Sequence, residues 1–492
     1  MQPLKNYTLP NVPGPVSQPA YNRSQLTEGI VHFGVGGFHR AHQAMYLDRL
    51  MNAGKALDWA ICGVGVLPGD AHMKKVMDSQ DCLYTLTVKH SDGIRHGMII
   101  GSIINYLFAP ENPEAVIEKM ASPAIRIVSL TVTEGGYNFH HVTGEFDADN
   151  PDVVHDLQPG AIPRTTFGLI TAALARRRQR GLAPFTVMSC DNIQGNGNVA
   201  REMFTAFAAL KDPEMGTWVA ANVPFPNSMV DRITPATTDE DRLTAVREYG
   251  VEDAWPVVCE PFAQWVLEDH FSLGRPPFED AGVQLVADVE PYELMKLRLL
   301  NASHQGMCYF GHLAGYRYAH EAAQDPLFAR FLLDYMDKEA TPTLQPVPGI
   351  DRTAYKQTLI DRFSNEHVRD TLARLCAESS DRIPKWLLPV IRTNLDRGGE
   401  IHRSAAIVAS WARYAEGIDE QGQPIDVVDR LKIDVMAAAA RQREDRFAFI
   451  ANRDLFGDLA DNERFTTAYA STLDDLHNGG SRFALESLAR RS

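Results

Sequence analysis

The stretch "IVHFGVGGFHRAHQAMYL" spans Ile30–Leu47. Ile30–Phe33 predicts a short buried strand, Gly34, Gly36 and Gly37 interrupt it, and His39–Met51 resumes at helical spacing. A glycine turn between a strand and a helix lets backbone N–H groups approach an anionic phosphate at the helix's positive end. The spacing departs from the usual fingerprint. Gly34 and Gly36 are in place and Gly37 is adjacent, but His39 stands where the third glycine belongs. That glycine serves close helix–strand packing. Two readings follow: a dinucleotide loop made by Gly34, Val35, Gly36, Gly37 and Phe38, or a tight structural turn.

Working outward, strand and helix signals alternate. Trp59–Val66 reads as a second buried strand and Leu83–Lys89 alternates as an edge or antiparallel strand would. Glu114–Met120 is helical, Ile125–Val132 a strand before the turn "TEGGY", Thr166–Arg180 a helix, and Phe185–Cys190 a strand running into "DNIQGNGN". Such alternation predicts a largely parallel sheet with helices on both faces. Asp70 is the first carboxylate beyond the second strand. It could accept ribose hydroxyls and repel a 2′-phosphate, which favours NAD over NADP; it could also be a solvated loop aspartate. The proline-rich first 28 residues read as an extended arm.

Beyond Pro291 the pattern changes to long helical segments, among them Pro291–Tyr309, Leu327–Asp337, Ala354–Phe363, His367–Cys376, Leu387–Leu395 and Ala405–Tyr414. The expected organisation is an α/β dinucleotide-binding domain over 1–290, arm included, and a mostly helical substrate-binding domain over 291–492, with a small-molecule cleft between them.

Bulk properties narrow the class. The chain has 492 residues, is 45% hydrophobic, and carries a formal charge of -15, so no basic nucleic-acid scaffold is expected. No two of the six cysteines sit at zinc-like spacing. Reduced buried thiols, no bound metal and a cytoplasmic setting are the expectation. The amino terminus lacks the apolar core of a signal peptide, and no apolar run reaches the ~18 residues a membrane span needs.

The helix expected from Pro291 is apolar nearly all round, yet it carries Glu293, Lys296, Asn301 and His304. On a regular α-helix these four fall within an arc of roughly 140°. Burying an amine, an amide, an imidazole and a carboxylate on one side is costly unless they are used. Burial disfavours a lysine's charged form, which can make it a general base. The alternative is a structural Glu293–Lys296 pair with a satisfied core histidine. Two further clusters bear on that choice. "SCDNIQGNGN" puts Asp191 and Asn192 just past a strand's carboxyl end, where ligands bind in open α/β sheets. "VPFPNSMVDRITP" sets Asp231 and Arg232 in a Val/Ile frame. Each has a structural reading too, as an Asn–Gly turn and a local ion pair.

Taken in order, "GVGGFHRAHQAMYLD", "TVTEGGY", "SCDNIQGNG", "NSMVDRITP" and "KLRLLNASHQ" resemble the motifs of the long-chain, zinc-independent polyol dehydrogenases, over most of the chain. Gly37 departs from the asparagine of many relatives. The resemblance implies an α/β fold, with an amino-terminal Rossmann-like domain and a mostly helical carboxy-terminal domain. It implies metal-independent hydride transfer to NAD, interconverting D-mannitol and D-fructose. Lys296 would be the general base, Asn192 and Asn301 an oxyanion hole, and His304 and Asp231 substrate-orienting groups. Glu293 would tune Lys296 or relay its proton, and Arg374 and Lys385 would bind the polyol. The partner is then a small polyol or ketose, with no nucleic acid or membrane, on a monomer or weak oligomer. A D-arabinitol 4-dehydrogenase and a hexuronate reductase are the near alternatives. A regulator that binds nucleotide without catalysis is the alternative of another class.

Overall fold

The structure, a computed structural model, describes residues 2–12, 14–139 and 144–491. It divides into two compact units, Met1–Glu290 and Pro291–Ser492.

The first unit is built on a five-stranded parallel sheet of β1 (Glu28–Phe33), β2 (Ala60–Gly65), β3 (Ile103–Phe108), β4 (Ile127–Leu130) and β5 (Thr186–Ser189), in the order β3-β2-β1-β4-β5. Its strands are apolar on both faces, as covered parallel strands must be. Ile30, Ile61, Ile127 and Met188 join one apolar layer, and Val31, Cys62, Val128 and Val187 join the other. Strand order reverses between β1 and β4, so the loops after them flank the switch point where open α/β sheets bind ligands. The alternating segment at Tyr84–Lys89 pairs antiparallel with Arg95–Ile100 in a separate sheet.

The helix expected over His39–Met51 is two helices, α1 (Gly37–Ala41) and α2 (Gln43–Asn52). His42 separates them, with φ -123 and ψ -95, outside the helical region.

The amino-terminal arm is more than extended chain. Gln2–Pro3 pairs in parallel with Val251–Glu252, and Val16–Ser17 with Gly97–Met98. Arg23 donates from Nε to Gly101 O at 3.0 Å and from Nη2 to Asp81 O and Ile103 O, each at 2.8 Å. The Tyr21 hydroxyl donates to Asp48 Oδ1 at 2.5 Å.

The second unit is helical. Its leading helix consists of α3 (Glu290–Lys296), a π-helical turn over Leu297–Asn301, and α4 (Ala302–Leu313). The helix expected over His367–Cys376 begins only at Leu372, as α5 (Leu372–Cys376). Arg369 has φ 55, which no right-handed helix contains. Thr371 caps the new start, its hydroxyl accepting from Arg374 N at 3.3 Å. α6 (Ser379–Trp386) follows. Among the described residues no helix is long and apolar enough to cross a membrane.

Candidate active site

The glycine turn. Gly34 is fixed by the chain's own geometry. Its φ is +89, and an added Cβ would lie 2.1 Å from Thr131 O, on the neighbouring strand's exit loop. Gly36 and Gly37 are different. A Cβ at Gly36 would meet nothing nearer than Gly34 O at 3.9 Å, and one at Gly37 only Thr234 Cγ2 at 3.6 Å. Gly36 is exposed and Gly37 half-buried. Packing within the chain therefore leaves both positions open, and room above a strand-to-helix turn is what a pyrophosphate needs. A dinucleotide fits here.

His39 takes the place of the third glycine without forcing helix and strand apart. Its ring stacks on His32 of β1, centroids 3.4 Å apart and planes 13° from parallel. His32 is held by Ser129 Oγ at 2.8 Å and Thr131 Oγ1 at 2.9 Å. Two flat rings thus do the packing a glycine does elsewhere. Burial pushes the His39 imidazole well below its usual range, and that of His32 down to about 3. Arg40 shapes the loop from beneath. Its Nη1 donates to Trp255 O at 2.5 Å and its Nε to Gly36 O at 3.3 Å. Val35 is buried, and Phe38 stacks on His42 with centroids 4.9 Å apart.

Asp70 sits just past β2. Its Oδ2 accepts from Val66 N at 2.8 Å and Leu67 N at 2.9 Å, closing the loop at the strand's carboxyl end. Half-exposed, it keeps Oδ1 for another donor.

Asn192 is exposed in the turn between β5 and the helix Asn196–Lys211. The residue before it holds that turn in place. Asp191 is buried and accepts from Thr133 N at 2.8 Å, Val132 N at 3.1 Å and the Tyr137 hydroxyl at 2.8 Å. Burial pushes its carboxyl up to about 6 against those donors. Asn196, which the sequence did not single out, donates from Nδ2 to Asp191 O at 2.9 Å and to Ser228 O at 2.8 Å. It ties the "SCDN" turn to the strand Ser228–Asp231, whose last residue is the buried Asp231. Arg232 is no local partner for it in the hydrogen-bond pattern. Its guanidinium donates to Ala41 O at 2.7 Å and Glu260 O at 3.0 and 3.1 Å.

In the second unit Glu293, Lys296, Asn301 and His304 are all buried, at 6–7% exposure. The expectation of a regular α-helix is corrected by the π turn. Ala302 N donates to Leu297 O, five residues back instead of four. A π turn takes about 4.4 residues, so Lys296 and Asn301 stand roughly 50° apart rather than the roughly 140° of an α-helix. Nothing in "KLRLLNASHQ" marks this turn. It gathers the four polar groups more tightly than spacing alone allows, and such turns concentrate at functional sites.

Asn301 Oδ1 and His304 Nε2 are buried with no hydrogen-bond partner among the described residues. Groups of this kind are costly unless a ligand completes them. Burial first, then the charges of Arg374, Arg362, Arg382 and Lys296, hold the His304 imidazole far below its usual range. The ring packs on Phe363, centroids 4.6 Å apart. His304 is therefore a neutral group that can donate or accept, inside a cationic surround.

Arg374 grips Asp370 with Nε at 2.7 Å and Nη2 at 2.6 Å. Lys385 lies exposed on α6. Sequence reasoning passed over Arg382, one turn earlier on that helix, and Arg362. Both lie within electrostatic reach of His304. Among the described residues no group of three or more His, Cys, Asp or Glu is placed to hold a metal ion, and all six cysteines are buried and unbridged.

Comparison with known proteins follows the same division. The family model of the mannitol dehydrogenase Rossmann domain matches residues 28–280, and that of the mannitol dehydrogenase C-terminal domain matches 288–477. A mannitol 2-dehydrogenase of Aspergillus fumigatus is 46% identical over 472 residues, 94% of each chain. One of Phaeosphaeria nodorum is 47% identical over 478 residues, 96% of this chain and 84% of its own. The solved ternary complex of Pseudomonas fluorescens mannitol 2-dehydrogenase with NAD and D-mannitol superposes with a TM-score of 0.92 at 45% identity, covering 100% of both chains. A substrate-free D-sorbitol dehydrogenase gives 0.89 at 36% identity, covering 99% of this chain and 100% of its own.

Proposed function

This chain belongs to the mannitol dehydrogenase family, and from that premise we propose that it is an NAD-dependent mannitol 2-dehydrogenase. It interconverts D-mannitol and D-fructose by hydride transfer at carbon 2, without a metal ion. The observation that carries this reading is the polar face that the π turn gathers on a buried helix.

Gly34, Val35, Gly36, Gly37 and Phe38 would hold the cofactor's pyrophosphate through backbone N–H groups, and Asp70 its ribose hydroxyls. NAD bound there supplies the hydride acceptor. The chain's own groups manage the proton and the oxygen. Lys296 Nζ takes the proton from the carbinol hydroxyl as a buried general base. The carboxamides of Asn192 and Asn301 donate to the developing alkoxide, the work of a fixed oxyanion hole. His304 and Asp231 orient neighbouring hydroxyls, and Arg374 and Lys385 bind the rest of the polyol. Glu293 accepts or tunes the Lys296 proton. Buried, unbridged thiols suit a reducing cytosol. We assign a monomer or weak oligomer.

The test is NADH formation with D-mannitol, D-sorbitol and D-arabinitol, each with NAD and NADP, before and after chelation. D-mannitol with NAD should dominate and survive the chelator; silence with every polyol would restore the regulator reading. One observation favours a second substrate class. Arg382 is held by two main-chain carbonyls and by no carboxylate among the described residues, which suits an anionic end such as a hexuronate's. A keto-hexuronate reduced faster than D-fructose would establish that reading instead.

A further inference from the structure

Behind His304 lies a buried polar network that the proposed chemistry does not use. Gln305 is fully buried, and its Nε2 donates to Leu375 O at 3.2 Å. The same carbonyl accepts from Arg382 Nη1 at 3.0 Å, so both its lone pairs are engaged. Gln305 Oε1 accepts from the Tyr309 hydroxyl, one helical turn on. That hydroxyl, its one proton spent on Gln305, accepts from Ser379 Oγ at 2.5 Å, so Ser379 links to the network in place of Cys376 O, which lies 2.7 Å away. One connected set therefore joins α4 to both ends of the corner Leu375–Ser379. Glu378, within that corner, has φ +53. A non-glycine residue keeps that conformation only where its surroundings impose it.

The corner separates Arg374 from Arg382, two of the charges that act on His304. Arg382 is anchored directly to it, through Arg374 O at 3.3 Å as well as Leu375 O. Leucine and phenylalanine would fill the same space at positions 305 and 309 without polar atoms to satisfy. Three buried polar side chains that converge on one backbone corner point to placement rather than packing.

We propose that Gln305, Tyr309 and Ser379 are positioning residues for substrate binding. They fix where Arg374 and Arg382 stand relative to His304, and so set the affinity for the sugar without touching it. This rests on the mannitol dehydrogenase reading above.

The experiment compares the full-length protein with Tyr309→Phe, Ser379→Ala and Gln305→Leu. Tyr309→Phe keeps the ring and removes only the hydroxyl that serves two partners; Ser379→Ala is the milder second route should Gln305→Leu fail to fold. Two readouts are taken: kinetics with D-fructose and NADH, and the imidazole signals of His304 by NMR on histidine-labelled protein. The KM for D-fructose should rise about tenfold in Tyr309→Phe and Ser379→Ala. In the same variants kcat should stay within about twofold. The KM for NADH should not move, and the His304 signals should shift. A lowered Tm with an unchanged KM and unchanged His304 signals would overturn the proposal. If the wild-type protein turns over neither D-fructose nor D-mannitol, the mannitol reading fails on its own. The His304 signals then decide alone: a shift in Tyr309→Phe and Ser379→Ala supports the network, and no shift overturns it.

Discussion

At Gly34–Gly37 the chain offers backbone; along Glu293–His304 it offers side chains. The first region achieves its shape by leaving atoms out, since a Cβ at Gly36 would stand 3.9 Å from its nearest neighbour in what is otherwise open space. The second achieves its shape by adding a residue to a helical turn, which swings Asn301 toward the side of Lys296. A backbone site should tolerate exchange of the side chains around it, as His39 in a glycine's place shows. A side-chain site should not, because each group there is buried.

The sharpest way to break this contrast is Lys296→Ala. It should lower kcat by about a thousandfold while NADH affinity, read by fluorescence titration, stays unchanged. Loss of NADH affinity instead would mean that the two regions are not separable in function. Next is Gly34→Ala, where strain at φ +89 and the contact with Thr131 O should cost about 3 kcal/mol of stability, measured by denaturant unfolding. Gly36→Ala should leave the unfolding midpoint in place yet weaken NADH binding about tenfold, with Gly37→Ala weaker in effect. Equal losses of stability at positions 34 and 36 would show that the turn is purely structural.

The smallest effect concerns pH. His32 and His39 are held below the ordinary value of 6.5, so the folded state binds fewer protons than the unfolded one. Stability they contribute is fully present above pH 6.5 and drains away as the pH falls through that value, at up to about 1.4 kcal/mol per pH unit for each. His39→Phe keeps a flat ring on His32 and should flatten that slope between pH 7 and 5. An unchanged slope would assign the acid sensitivity to other groups, with Asp48 and Asp191, both raised to about 6, pulling the opposite way.

Much of this architecture is legible in the sequence, for a local reason. Buried parallel strands are short apolar runs, and Ile30–Phe33 or Ile127–Leu130 announce themselves without reference to distant residues. The polar helix is legible because Glu293, Lys296, Asn301 and His304 interrupt an apolar run. Its phase is not. An α turn and a π turn differ by one hydrogen-bond step, and packing from elsewhere in the fold decides between them. The break at His42 and the late start of α5 are hidden for the same reason, since neither carries a proline or a glycine. Arg382 is not marked out from Lys385 by the sequence, because two cations three residues apart on one helix look alike until their surroundings are known. Gln305 is the hardest case. Its partner is a main-chain oxygen 70 residues away, and a carbonyl leaves no trace in a sequence.

The first 25 residues carry a practical consequence. Arg23 spends its guanidinium on the main-chain oxygens of Asp81, Gly101 and Ile103, and Tyr21 closes over Asp48. Trimming that stretch to tidy an expression vector, or a protease clipping it during storage, would remove the one side chain that ties those three oxygens together. Preparations should be checked for an intact leading segment before any loss of activity is blamed on the reaction centre.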